Sequence, residues 1–147
     1  MPKHHETRKL PYSAQQMFDL VADVESYPEF IPWISAARIT SRRDTDPGEV
    51  LEVDLVISFK VFRERFRSRV TLDPAAMRID TEYLDGPFKH MDSTWRFSDA
   101  EGGCEVLFDV DFEFRSRLLG AAASTFFYDA MQRIVRAFER RAAELYG

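Results

Sequence analysis

The side chains that could do chemistry are few and poorly grouped. The three histidines are His4, His5 and His90. The first two stand near a terminus, and the third falls on the solvent side of a strand by alternation. Cys104 is the single cysteine, so it can form no intramolecular disulfide and suits a reducing compartment. It falls on the apolar side of a strand, near a hairpin end, with no histidine beside it. That placement predicts an inert buried thiol rather than a nucleophile. The carboxylates fall mostly on outward strand positions, so no acid and base converge on an apolar interior. No glycine-rich phosphate loop occurs, and no Cys/His cluster has metal-ligand spacing. The expectation is a protein that is not an enzyme, with no catalytic residue, no metal and no required cofactor.

Two other groups of residues stand out. The first is aromatic: 13 Phe, 5 Tyr and 2 Trp make up 14% of the 147 residues, which predicts a Phe-rich interior. The second is a row of arginines, Arg63, Arg65, Arg67 and Arg69, alternating with Phe62, Phe66, Val70 and Leu72 on one stretch. Such spacing puts the arginines on one face of a strand and the apolar residues on the other. With Glu52 and Asp54 expected on one neighbouring strand, and Asp80 and Glu82 on the other, the row reads as a solvated, salt-paired surface. Its alternative is a contact for RNA or anionic lipid, although no aromatics interleave on that face to stack bases.

The elements that position these residues follow from periodicity. Residues 4–10 read as a strand ended by Pro11. Ser13, with Gln16 three residues later, has the form of a capping box, and a helix follows to about Glu25. Pro28 and Pro32 bracket a second short helix ending near Trp33. Alternation then marks strands over residues 51–59, 62–72, 77–83, 91–97 and 104–114. From about Ser116 the period becomes helical for about 30 residues, with Phe127, Met131, Ile134, Phe138 and Leu145 as the apolar stripe. Strand, two short helices, a meander of about six strands and one long amphipathic helix describe a single α+β domain over residues 1–147. A one-sided antiparallel sheet of six to seven strands must cover its apolar face. Curling around the long C-terminal helix does so, which is the helix-grip arrangement.

Antiparallel alternation also places the connections after Phe59, Asp85 and Phe114 at one end of the sheet. They carry Phe59, Phe62, Phe88, Phe114, Leu118 and Leu119, an apolar collection expected at a ligand mouth or a membrane contact. The run Gly120-Ala121-Ala122-Ala123 thins the start of the helix, leaving room for a ligand or allowing close helix–sheet packing. The expected ligand-contact residues are Trp33, Phe59, Phe62, Phe88, Met91, Phe114, Leu119, Ala123 and Phe127. Plain core packing is the competing reading for each of them. The net charge of −5 argues against generic nucleic-acid binding, DNA included. The first residues lack the apolar stretch of a signal peptide, and no apolar run approaches the ~18–20 residues of a membrane span. The expected location is cytoplasmic, with peripheral contact at the inner membrane as an option.

Five motifs occur together in order: Tyr27-Pro28-Glu29-Phe30-Ile31-Pro32-Trp33, Asp85-Gly86-Pro87-Phe88, Trp95-Arg96-Phe97, Asp111-Phe112-Glu113-Phe114, and Ala137-Phe138-Glu139-Arg140-Arg141-Ala142 followed by Leu145-Tyr146-Gly147. With them the chain resembles, over nearly its whole length, the coenzyme Q-binding branch of the START-like, polyketide cyclase/dehydrase superfamily. Many members have a cysteine where this chain has Ile34. The resemblance implies a helix-grip fold around an apolar tunnel. It also implies a ubiquinone-like lipid, or a polyprenyl quinone precursor, as bound ligand, and a carrier role in respiration or quinone biosynthesis. A ribosome-association toxin family shares these motifs and implies the alternative, binding to the large ribosomal subunit and blocked subunit joining.

Overall fold

The computed structural model describes residues 3–45, 48–59, 62–86, 88–115 and 117–147, with the backbone alone at 59, 62, 114, 117–124 and 127. The described residues form seven strands: β1 (Lys3–Leu10), β2 (Ile34–Asp44), β3 (Glu49–Phe59), β4 (Phe62–Asp73), β5 (Arg78–Asp85), β6 (Phe88–Ala100) and β7 (Gly103–Phe114). They make one antiparallel sheet in the order β1-β7-β6-β5-β4-β3-β2. Strands β2 to β7 are thus a meander, and β1 closes the far edge against β7. Between β1 and β2 lie α1 (Ala14–Ala22) and a 3-10 helix (Val24–Glu29), and the chain ends in α2 (Arg117–Tyr146). The sheet curves round α2, which packs against β7, β1 and α1.

Local chemistry accounts for the element ends. Ser13 caps α1: its Oγ accepts from the Gln16 amide at 3.1 Å, and the Gln16 side chain accepts from the Ser13 amide at 3.0 Å. The helix stops at Ala22, earlier than expected, because Asp23 leaves the helical region with ψ at 70°. The tighter 3-10 helix follows and already contains Pro28, so the second short helix lies earlier than the prolines suggested.

Strand β2 is a departure from the expected strand set. Its exposed run of Arg, Ser and Thr carries Ile34, Ala37 and Ile39 as its main inward contacts. Bulges between Ile34 and Ala36 and between Ile39 and Ser41 break the two-residue period that would have revealed it. Edge position explains the pattern, since one side of β2 faces no partner strand.

The core lies between the concave sheet and α2. Ala130, Met131, Ile134, Val135, Ala137, Phe138 and Ala142 are the buried stripe of the helix. Leu145 departs from the expected stripe at 52% exposed. At 100° per residue it still falls within the buried arc, so its exposure reflects position along the axis: the last turn runs beyond the cover of the sheet.

Candidate ligand-binding cavity

Inward residues of β3 to β7, with α1, the 3-10 helix and α2, enclose a cavity of about 110 Å³. Its wall includes Val53, Ile57, Phe66, Val70 and Ile79 from the sheet, and Met131, Ile134 and Phe138 from α2. No charged side chain is among the described lining residues. Trp95 is the central ring. Register sets it opposite Ile79 on β5 and Phe108 on β7. Its centroid lies 4.3 Å from Phe108 and 5.3 Å from Phe138, the second contact edge-on. Tyr27 also lines the wall; its hydroxyl donates to the Val21 carbonyl, and burial, with the Asp23 carboxylate nearby, raises its pKa.

The first and last sequence motifs meet at this wall. Tyr27 and Phe30 pack edge-on against Phe138 at 5.3 and 5.2 Å. The Arg141 guanidinium lies 5.3 Å above the Phe30 ring and reaches Glu29 at 2.9 Å. The Tyr27-Pro28-Glu29-Phe30 and Phe138-Glu139-Arg140-Arg141 stretches are therefore two halves of one clamp holding the 3-10 helix to α2. On the opposite edge, Arg8 of β1 bonds Glu139 at 2.8 Å.

The expected contact residues divide as follows. Trp33 and Met91 line the cavity. Trp33 is also the described residue shared with an open groove of about 640 Å³ between Pro32, Ser58 and the α2 stretch from Thr125 to Arg133, so its indole separates interior from surface. Phe88 was expected at the mouth but is 1% exposed. It packs edge-on against Phe66 at 5.5 Å and Tyr83 at 5.4 Å, away from the cavity wall. Gly86 explains this inward placement. Its φ of 142° and a would-be Cβ only 2.6 Å from the Phe66 Cβ let the β5–β6 turn lie directly on β4. The side chains of Phe59, Phe62, Phe114, Leu119, Ala123 and Phe127 lie outside the described residues. The pairings Phe59 with Phe62 and Phe88 with Phe114 do bring the three connections to one end of the sheet.

Of the polar residues on the inner face, alternation sets Ser93 with Met91, Trp95 and Phe97, whereas Ser68 and Thr81 were passed over. Ser68, Thr81 and Ser93 line the cavity from β4, β5 and β6. Ser68 is 1% exposed, the one buried polar residue of the described chain. Their signal in the sequence was the break in apolar alternation at 68 between Phe66 and Val70, and at 81 between Ile79 and Tyr83. Glu64 breaks the same alternation nearer the strand start, opposite Ile57.

On the outer face the arginine row is partly paired. Arg67 bonds Asp54 at 3.0 Å and Arg69 bonds Glu82 at 2.6 Å, and the carboxylate holds the Arg67 pKa up. Glu52 lies opposite Arg69 in register. Asp80, expected to join this ladder, faces Thr71 instead and is taken by Arg78 at 2.7 Å and Thr94 at 2.8 Å. Arg63 and Arg65 lie opposite Ser58 and Val56 and are exposed, without an ion pair to a described residue. His90 contacts Asp111 at 3.2 Å and Glu113 at 3.7 Å on the outer face. Among the described residues no cluster of His, Cys, Asp and Glu could hold a metal ion, and no helix is long and apolar enough to cross a membrane.

A curved antiparallel sheet gripping a long helix over an uncharged cavity defines a START-like helix-grip protein. The chain belongs to the family described as polyketide cyclase/dehydrase and lipid transport, whose model matches residues 10–139. It is 38% identical to the ribosome association toxin RatA of Rickettsia prowazekii, over 99% of each chain. It is 33% identical to the mitochondrial coenzyme Q-binding protein COQ10 homolog B of Xenopus laevis, over 99% of this chain and 59% of that longer one. The solved Zhui aromatase/cyclase from Streptomyces sp. R1128 superposes with a TM-score of 0.83 over 96% of this chain and 93% of that one. Its 18% identity makes the likeness one of fold alone.

Proposed function

We propose that residues 1–147 act as one helix-grip unit that holds an uncharged apolar lipid, a ubiquinone-like molecule, and carries it rather than transforming it. The observation that carries this reading is the cavity itself: largely apolar, with no charged side chain among its described lining residues and with Trp95 packed on Phe108 in its wall. A buried isoprenoid tail would gain about 25 cal/mol per Å² of apolar area without a polar anchor. The coenzyme Q-binding relative supports the ligand class.

Catalysis by proton transfer would need a titratable group within reach of the ligand. Tyr27 is the titratable group on the described wall, and its hydroxyl is committed to Val21 with its pKa raised further above neutrality. The proposed setting is the cytoplasmic side of a membrane, with peripheral contact while the lipid is exchanged.

The cavity of about 110 Å³ is below the ~300–1,000 Å³ usual for ligand sites, so entry of a whole lipid requires the wall to rearrange. Met91 and Met131 on facing walls supply adaptable side chains for this. Both tryptophans of the chain, Trp33 and Trp95, line the cavity, so they report occupancy. Titration with a decyl-tailed ubiquinone should quench tryptophan emission saturably at about one ligand per chain, the ratio a single enclosed site allows. Emission unchanged by the quinone would count against the proposal.

A second reading has its own observation. Arg63 and Arg65 present cations without an ion pair to a described residue on an exposed strand face, and the 38% identical relative is named for association with the ribosome. Under that reading β4 contacts RNA of the large subunit, and the arginines to test are Arg63 and Arg65, since Asp54 already engages Arg67.

A further inference from the structure

Where the sheet lines the cavity, its inner face is apolar except along one line; Glu64 of β4 and the polar inner face of β1 lie outside the lining. Thr81 of β5 pairs directly with Ser93 of β6, and Ser68 of β4 lies diagonal to Thr81, whose own β4 partner is Val70. Directly opposed side chains on adjacent antiparallel strands stand about 5 Å apart and diagonal ones about 7–8 Å. The three hydroxyls therefore form a short polar stripe across three strands, facing the cavity beneath Trp95 and Met91.

No hydrogen bond joins these hydroxyls to another described residue, and none of the three is a fully buried unpartnered group. Ser68 is 1% exposed, while Thr81 and Ser93 are half-buried and also border an open pocket with Arg69, Asp80, Glu82 and Asp92, so the stripe runs from the interior toward water.

Resting on the carrier reading above, we infer that Ser68, Thr81 and Ser93 are a polar subsite that hydrogen-bonds the oxygens of an uncharged ring head, so that the lipid enters head first with its tail toward the Trp33 end. The lining excludes two other head chemistries. A carboxylate or phosphate head would be buried with no described cation on the wall, and an ammonium head with no described anion. A hydroxyl both donates and accepts, so quinone carbonyls and their reduced hydroxyl forms both find partners in the stripe. A cavity of about 110 Å³ is smaller than the ~150 Å³ apolar cavity known to admit a benzene ring, so a substituted ring enters only as the wall gives way, and a whole lipid cannot be held within it. The ring therefore belongs at the stripe, and the tail follows toward the surface groove.

The test compares two probes of equal tail length, decyl-tailed ubiquinone and decylbenzene, on the full chain and on a Ser68→Ala/Thr81→Val/Ser93→Ala variant. Quinone binding is read by tryptophan quenching, and decylbenzene by its displacement of the quinone. The wild-type chain should prefer the quinone by roughly tenfold, the size two or three neutral hydrogen bonds supply. The variant should bring the two affinities within about twofold by weakening the quinone alone. A cooperative thermal melt of the variant confirms that it is folded. A variant that keeps the wild-type preference overturns the subsite, as does one that weakens both probes together. Should the wild-type chain bind neither probe, the carrier reading fails and the subsite fails with it. A variant that will not fold is replaced by the single Thr81→Val, expected to lose about a third of the preference on the logarithmic scale.

Discussion

Cys104 shows how one side chain takes its chemistry from its surroundings. It sits at the β7 end paired with Leu10 of β1 and Asp99 of β6, 1% exposed. Burial, reinforced by the Asp99 carboxylate, raises its thiol pKa. The fold thus holds the protonated thiol, and the sign follows from linkage. Its contribution to stability is intact below the ordinary thiol range and is lost as pH rises through that range toward the raised value. In native protein at pH 8, alkylation of Cys104 should be at least about 100-fold slower than in urea-unfolded protein, where the thiol is exposed and titrates normally. Comparable rates in the two states would show the thiol to be open. Trp95 and Ser68 share this dependence on position: an indole and a hydroxyl have no assigned role by type, and β6 and β4 make them wall and polar contact.

At the scale of elements, β4 carries the division of labour most plainly. Its inner face holds Phe66, Ser68 and Val70 against the cavity, and its outer face holds the arginines. The outer half also separates the two functional readings. Reversing Arg63 and Arg65 to Glu should leave quinone binding within about twofold, because neither touches the wall and exposed charges act weakly across the sheet. Under the ribosome reading the same variant should lose co-sedimentation with large subunits, and co-sedimentation unchanged by the reversal would remove β4 as the contact.

The helix-grip plan was legible from the clean alternation of β3, β6 and β7 and the helical stripe through Met131, Ile134 and Phe138. Strand β2 was not, since its bulges and edge exposure erase the period. The polar stripe was hidden for the opposite reason: the apolar pattern of β4 and β5 is strong enough that Ser68 and Thr81 pass as gaps in it. The burial of Phe88 was not legible because the close approach of Gly86 to Phe66, which only a residue without a side chain permits, is a tertiary contact invisible along the chain.

At the scale of the molecule, sheet, clamp and helix act together. The Tyr27–Phe138 and Glu29–Arg141 contacts hold the 3-10 helix to α2 beside the cavity, and Trp33 borders both the cavity and the α2 groove. The outer charges do not enter the cavity, so lipid holding and any surface partnership are physically separable in this chain. The central claim is that the cavity is occupied by an uncharged ring-headed lipid in the cell. Its most direct test is organic extraction of the protein purified from a quinone-producing host, with the extract quantified by mass spectrometry. The account predicts a polyprenyl quinone approaching one molecule per chain, as a single enclosed site requires, and depleted in the Ser68→Ala/Thr81→Val/Ser93→Ala variant. An extract free of quinone, from folded protein that also takes none up when it is added, would contradict it.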